Sequence, residues 1–455
     1  MRLLLLAAAL AGGQCAAAEA GLRLPGLRDP IGPSSPPQQL RLSPGPEPLS
    51  SMRVTWVSYD RAGLTSSTVE YWPSANASAP RSSALASAAT YTAGVGGWNP
   101  NGTIFTAVMT GLAPATSYAY RVGPSAAAMT DARTFSLPPA PGADATLRLA
   151  FTADQGTIVP FGWAVANRLL QDHLVTGPRY DVIVLGGDLS YATVTPPTDE
   201  VEFTWDAFGL QIEPYASTAT FVSVVGNHER PSGTFRLLPD GSPQDIDFAS
   251  FTARYTDAAA GAAPRFWFSY NFGPLHFVAL SSEHDFSPSS PQLAWLEADL
   301  AAVDRATTPF VVACLHRPVL SASILEWADH SPGAALSASF EPVFKRYGVD
   351  VVLAGHIHSY EYTFPVFNGT KLGDYKPGTA VPTFADPIAP VYVCAGTSGA
   401  LPENTWFDPA PAWSARRMLG NFGFGRISVS AASFQYEYVG LCGEVLDTFA
   451  ITKSK

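Results

Sequence analysis

The chain has 455 residues, 47% hydrophobic and 14% charged, with a formal net charge of -11 at pH 7. That length exceeds one ordinary core and implies two domains, while the apolar share excludes a largely disordered chain. The acidic balance excludes tracking of a nucleic-acid backbone, which needs clustered Lys and Arg, but leaves small phosphate compounds open because bound metal ions invert a local field.

In chain order, Arg2, the apolar stretch Leu3 to Leu10 and the small residues Ala16 to Ala18 have the pattern of a signal peptide over residues 1–18. The apolar stretch is too short to span a bilayer, and neither a later run nor the terminal Ile451-Thr-Lys-Ser-Lys455 is a membrane anchor. The expected location is secreted and extracellular, or vacuolar or lysosomal after entry to the secretory pathway. Sequons at Asn76, Asn101 and Asn368 agree with that route. Cys15 would leave with the leader, and Cys314, Cys394 and Cys442 remain. Cys314 and Cys394 sit in apolar strand-like runs and are expected as buried free thiols; no disulfide framework is visible.

Leu22 to Pro37, rich in Pro, Gly and Ser, is expected to be a linker. Residues 38–138 then carry short alternating or β-branched segments: Met52–Ser58, Ser67–Trp72, Thr103–Val108 and Ser117–Val122. Turn residues separate them without helical periodicity, so an all-β sandwich is expected. Leu112 to Gly123 resembles the late strands of a fibronectin type III domain, and Tyr118 and Tyr120 are expected as plain sheet residues.

After the break at Pro138 to Gly142, residues 145–455 alternate apolar strands with helices, an α/β catalytic domain. The strands are Leu147–Thr152, Val182–Leu185, Phe221–Val225, Phe310–Cys314 and Val349–Leu353, whose near-continuous apolar character suits burial on both faces. Ser290 is a helix N-cap ahead of Pro291, with Leu293, Leu296, Leu300 and Val303 as one buried stripe. Phe340 to Tyr347 is expected as a shorter helix stopped by Gly348. His173 is expected exposed near a helix end, favourable to its dipole. His276 is expected to be structural, and His284 to position loops.

The residues just past each strand point to the chemistry. Asp154 and Gly156 come after the first, Gly187-Asp-Leu-Ser-Tyr191 after the second, Gly226-Asn-His-Glu229 after the third, His316 after the fourth and Gly355-His-Ile-His358 after the fifth. Turns at strand carboxyl ends converge on one crevice in α/β sheets. Asp154, Asp188, Tyr191, Asn227, His316, His356 and His358 offer carboxylate, phenolate, carboxamide and imidazole donors, which suit hard-to-borderline cations. One aspartate can bridge two metals about 3.5–4 Å apart, and such a pair acidifies water and neutralises charge on a phosphoryl group. Any one of these motifs alone is weak; five in one register are not.

This ordered set resembles the purple acid phosphatases, within the metallophosphoesterase superfamily. The likeness extends to Trp205-Asp-Ala-Phe208 with Ile212-Glu-Pro214, Ser282 to Pro288, Gly396-Thr-Ser-Gly399 and Asn421 to Arg426. It covers nearly the whole chain beyond the leader, and the N-terminal sandwich matches the larger, plant-type members. The resemblance implies Asp154, Tyr191 and His358 as ligands of Fe(III), Asn227, His316 and His356 as ligands of a divalent partner (Zn, Mn or Fe), and Asp188 as the bridge. It also implies hydrolysis of small phosphate monoesters, with a homodimer as one arrangement.

His228 is expected to hydrogen-bond the phosphate or protonate the leaving oxygen, with Glu229 orienting it or lying at the surface. Three departures from the family pattern stand out: Ala313 in place of Val, Tyr360-Glu-Tyr362 in place of Tyr-Glu-Arg, and no substrate-facing histidine at the usual spacing after His316. The nearest substitute is His330, a proton donor if the loop is rearranged. The alternatives are a phosphodiesterase or nucleotide pyrophosphatase on the same metal core, or a weakly active surface-binding protein.

Overall fold

The computed structural model describes residues 36–454 except 60–63, 92–101, 126–127, 143, 178, 193–201, 230–235, 238–242, 245–247, 256–265, 328–332 and 404. The leader, the linker up to Ser35, Asn101 and His330 therefore lie outside the described residues. Asn76 and Asn368 are both exposed.

Among the described residues the N-terminal part has eight strands: β1 (Gln38–Pro44), β2 (Ser51–Ser58), β3 (Thr68–Pro73), β4 (Ser82–Leu85), β5 (Ser87–Ala89), β6 (Thr103–Thr110), β7 (Ser117–Gly123) and β8 (Arg133–Ser136). They form two four-stranded sheets, β1-β2-β6-β5 and β4-β3-β7-β8. Alternate residues of both sheets, among them Leu40, Leu42, Trp56, Phe105, Tyr120 and Phe135, meet in one buried core. Each such side chain contributes about 1.5–3 kcal/mol by leaving water. Tyr118 and Tyr120 are sheet residues as expected, but their hydroxyls have partners. Tyr118 accepts from Ala113 N (2.9 Å), and Tyr120 donates across to Ser217 O (2.8 Å).

The second part opens with three parallel strands, β9 (Leu147–Thr152), β10 (Val182–Gly186) and β11 (Thr220–Val224). A short ribbon comes next, β12 (Arg236–Leu237) with β13 (Pro243–Gln244). It leads to β14 (Phe268–Phe272), β15 (Leu275–Ala279), β16 (Phe310–Cys314), β17 (Val351–Ala354), β18 (Tyr360–Thr363) and the ribbon β19 (Val366–Phe367) with β20 (Thr370–Lys371). The chain ends through β21 (Thr383–Ala385), β22 (Val391–Ala395), β23 (Ser414–Met418), β24 (Gly423–Val429), β25 (Ser433–Gly440) and β26 (Val445–Thr452). Two seven-stranded sheets result, in the orders β11-β10-β9-β24-β25-β26-β21 and β14-β15-β16-β17-β22-β18-β23.

The period-2 pleat explains why these strands read as unbroken apolar runs. Leu147, Leu149 and Phe151 turn inward against Phe310, Val312 and Leu353 of the facing sheet. Ala150, Ile183 and Leu185 turn outward, under helices α1 (Gly162–Gln171), α2 (Glu202–Ala216) and α3 (Ala249–Tyr255). Outside the other sheet, α4 (Pro291–Ala301) and α5 (Gly333–Tyr347) bury Leu293, Leu296, Phe340 and Phe344. The five expected strands are thus present within two residues of their expected ends, but three belong to one sheet and two to the other.

Ser290 caps α4 as expected, its Oγ accepting from Leu293 N at 3.1 Å. Helix α5 begins at Gly333, well before the expected Phe340, because Leu336 extends its buried stripe backward; Gly348, at φ +66°, ends it. His173 departs from expectation most clearly. The helix widens into a π turn over Asp172–Thr176, which rotates the register and turns Asp172 and His173 inward while Leu174 and Val175 face out. His173 is fully buried, its Nδ1 accepting from Tyr180 N (3.0 Å) and its Nε2 facing Thr218 Oγ1 (3.0 Å), and burial pushes its pKa down to about 4. Cys314 and Cys394 are buried and free as expected. Cys442, for which no partner was expected, is disulfide-bonded.

The two parts are joined by a buried polar seam on α2. Glu213 accepts from Gln39 N (2.7 Å) and pairs with Arg133 (2.6 Å), while Gln39 Nε2 donates to Tyr59 Oη (2.7 Å). Arg254 donates to Gln39 Oε1 (3.0 Å) and pairs with Asp206 (2.9 Å). Gly209 makes room for this: a Cβ there would lie 2.4 Å from Gln39 Oε1. Glu213→Ala should leave the buried Gln39 N–H without its acceptor and remove the partner of the part-exposed Arg133, lowering stability by about 1–3 kcal/mol. Urea unfolding of the variant beside the unchanged chain measures this; an equal midpoint would rule the seam out as a stabilising element.

Candidate metal centre

The loops after β9, β10, β11, β16 and β17 meet at one end of the two sheets, and they bring all seven candidate ligands together. Tyr191 Oη lies 3.1 Å from Asp154 Oδ1 and 2.9 Å from His358 Nε2, which is itself 3.5 Å from Asp154 Oδ1. Beside this group, His316 Nε2 lies 3.0 Å from Asn227 Oδ1 and 3.2 Å from Asp188 Oδ1. The ligand atoms of Asp188, His316 and His356 fall within 4.8 Å of one another. Asp188 also helps to raise the Tyr191 phenol, so its carboxylate acts on both groups.

The backbone is bent to reach this arrangement. Asp154, Asp188, Tyr191 and His356 all have left-handed φ, between +51° and +69°, which costs on the order of 1–3 kcal/mol for each non-glycine residue. Hydrogen bonds hold the bends: Asp154 N donates to Gly187 O (3.1 Å) and His356 N to Asp154 Oδ2 (2.8 Å). Glycine is needed where loops touch. A Cβ at Gly355 would lie 2.3 Å from Asp154 Oδ2, and one at Gly226 would lie 2.4 Å from Asp188 Oδ1.

Neighbouring groups orient the imidazoles. His316 Nδ1 donates to Gly186 O (2.9 Å) and His358 Nδ1 to Leu401 O (2.9 Å), so each aims Nε2 into the cleft. Arg317 Nη1 lies 2.8 Å from His356 Nε2, and Arg317 Nε donates to Glu283 Oε1 at 2.9 Å. Sequence reasoning missed Arg317; its signal was a cation adjoining His316, with Glu283 in a stretch already marked as characteristic.

His228 sits on the rim, its ring 4.6 Å from that of Tyr191 and its Nε2 3.9 Å from Asp188 Oδ2. Glu229 is neither a surface group nor an orienter of His228. It is fully buried and accepts from Asp188 N (2.8 Å), Leu189 N (2.7 Å) and Gly226 N (2.7 Å). Burial and the neighbouring Asp188 push its carboxyl up to about 8. His276 and His284 match expectation: His276 is held between Asn271 and Asp299, and His284 stacks on Phe266 and Phe248.

The electrostatics of the cleft fit cations. Burial opposes charge on Asp188, yet His316 and His228 hold its carboxyl well below the usual range. Burial likewise opposes protonation of His316 and His358, but Asp188 pushes the first up to about 10 and Asp154 the second up to about 9. Burial, Asp154 and Asp188 raise the Tyr191 phenol well above its ordinary value. Protons are balancing carboxylate charge here, a place that multivalent ions of an O/N donor set can take.

Two packed mixed sheets with such a donor set at their carboxyl ends define a metallophosphoesterase. Residues 147–360 match the calcineurin-like phosphoesterase family, 37–137 the purple acid phosphatase N-terminal domain, and 389–448 the iron/zinc purple acid phosphatase-like protein C family. The chain is 30% identical to purple acid phosphatase 18 of Arabidopsis thaliana over 400 residues, covering 87% of this chain and 79% of that one. It is 27% identical to the Fe(3+)-Zn(2+) purple acid phosphatase 12 of Arabidopsis thaliana, covering 90% and 81%. The solved structure of purple acid phosphatase PPD1 from yellow lupin (Lupinus luteus) seeds superposes with a TM-score of 0.79 at 23% identity, covering 92% of this chain and 75% of that one. The chain belongs to the purple acid phosphatases and is an acid phosphatase.

Because His316 and His358 are raised above the ordinary histidine value, their protons stabilise the metal-free cleft at low pH, and that stabilisation is lost as pH rises through about 9 to about 10. Metal must displace those protons, so affinity falls as pH falls. Filling both positions of metal-free protein with Zn²⁺ at pH 7 in weak buffer should release at least two protons per chain, those of His316 and His358, read by an indicator dye. Uptake without proton release would contradict the charge balance described.

Proposed function

We propose that the chain hydrolyses phosphate monoesters with Asp154, Tyr191 and His358 holding a ferric ion, Asn227, His316 and His356 holding a divalent partner (Zn, Mn or Fe), and Asp188 shared between them. The observation carrying this is the division of the donors into two groups about one carboxylate, with Tyr191 Oη 2.9 Å from His358 Nε2 and His316 Nε2 3.0 Å from Asn227 Oδ1. The name of the Fe(3+)-Zn(2+) relative supports that choice of ions. When bound, the ions supply an acidified water and neutralise charge on the phosphoryl oxygens.

The chain's own groups do the rest. Asp154, Asp188 and the Tyr191 phenolate supply anionic donors matched to a trivalent neighbour. His316 and His358 present Nε2 because backbone carbonyls hold their Nδ1 protons. His228, partly exposed on the rim with its ring tilted against that of Tyr191, is positioned to hydrogen-bond a phosphate oxygen or to hand a proton to the departing alkoxide. His330, fourteen positions beyond His316 in the sequence, is the proposed second donor.

The substrate is a small phosphate ester, and the route is secretory, to the cell exterior or to a vacuole or lysosome. Among the described residues no helix is long and apolar enough to cross a membrane.

His228→Ala should lower kcat by about 10²–10⁴-fold with metal content unchanged, the range for losing a general acid. Normal turnover in that variant would remove His228 from the mechanism. The loaded protein should also absorb visible light through a phenolate-to-ferric transition, and Tyr191→Phe should abolish that band. An aryl phosphate should be cleaved far faster than its bis-ester; the reverse order would favour the diesterase reading.

A further inference from the structure

The loop after β11 contributes one ligand candidate, Asn227, whose neutral amide oxygen binds a cation more weakly than the anionic donors beside it. The support that holds Asn227 in place therefore matters more than it does for its neighbours. The loop Asp188–Tyr191 is tied independently to the β9 loop: Asp154 N donates to Gly187 O (3.1 Å), Gly156 N to Leu189 O (2.8 Å) and Thr157 N to Ser190 O (3.2 Å). The Gly226–Glu229 loop is anchored on that loop in turn. His228 N donates to Asp188 Oδ1 (2.8 Å), and Glu229 receives Gly226 N on Oε2 together with Asp188 N, and Leu189 N on Oε1.

We infer that Glu229 is a positioning residue that fixes Asn227, and so the divalent half of the site, against the Asp188 loop. This rests on the ligand sets proposed above. Glu229 is fully buried, so no water can stand in for its oxygens. Its two oxygens accept three N–H groups, an arrangement that a carboxylate satisfies and a carboxamide cannot. In Glu229→Gln, keeping the oxygen toward Asp188 N and Gly226 N turns the amide NH₂ toward Leu189 N–H, a donor facing a donor. Removing such support around a metal ligand typically lowers affinity by 10–100-fold. The three ligands assigned to the ferric ion alone, Asp154, Tyr191 and His358, are held by bonds that Glu229 does not make, so that ion loses only part of the support of the shared Asp188.

The test loads the full chain with ferric ion, titrates Zn²⁺ calorimetrically, records the visible band, and tracks thermal unfolding of the metal-free proteins. Glu229→Gln should bind Zn²⁺ about 10–100-fold more weakly and keep its ferric band. Adding Glu229→Gln to Asn227→Ala should weaken Zn²⁺ binding little further, since both act through one ligand. Wild-type Zn²⁺ affinity in Glu229→Gln overturns the inference alone. So does parallel loss of the ferric band and zinc with a lowered metal-free unfolding temperature. A wild-type chain that binds no second metal would overturn the ligand assignment, and the inference with it.

Discussion

Asp154, Asp188 and Glu229 crowd three fully buried carboxyl groups together beneath one cleft. Unpaired charges there would cost several kcal/mol each, and their mutual repulsion is poorly screened. The fold answers in layers. Glu229 is turned away from the cleft and spread over three backbone N–H groups. Asp154 and Asp188 remain aimed inward, and the histidines facing them take up protons until something more positive arrives. A pair of multivalent cations is the natural counter-charge, so the chemistry of the site and its stability have one electrostatic origin.

That arrangement needs backbones closer than ordinary side chains allow. Left-handed φ at four donor residues, and glycines at Gly226 and Gly355 where a Cβ would strike a carboxylate oxygen, bring five loops within reach of one point. Such strain persists only where the surroundings over-determine it. Here they do: two sheets share a dry core, helices cover both outer faces, and a polar seam on α2 braces the N-terminal sandwich against the same scaffold. Ile212-Glu-Pro214, one of the stretches carrying the family likeness, thereby has a physical role, since Glu213 is the seam's central acceptor.

Much of this was legible in the sequence because it depends on local order. Apolar runs of four to six residues ending in Asp, Gly-Asp, Gly-Asn-His or Gly-His-x-His state both a strand and the donor that stands at its end. Ser290-Pro291 states where α4 begins, and Gly348 where α5 ends. Residues whose role depends on the groups lying across from them were not legible. His173 is polar and sits at a helix end, yet a single wide turn carries it inward. Glu229 adjoins His228 in sequence but serves the backbone of residues 188 and 189 instead. Arg317 acquires a role only because Glu283 and His356 arrive beside it.

The sequence alone determined which donors exist, their order, and the strands that deliver them, since side-chain chemistry and a two-residue pleat are properties of short segments. Tertiary structure alone decided that three of those strands lie in one sheet and two in another, that the donors sort into two groups about Asp188, and that Glu229 is a strut. Those outcomes turn on distances between residues remote along the chain, which are set by how the sheets and loops pack and by no local pattern.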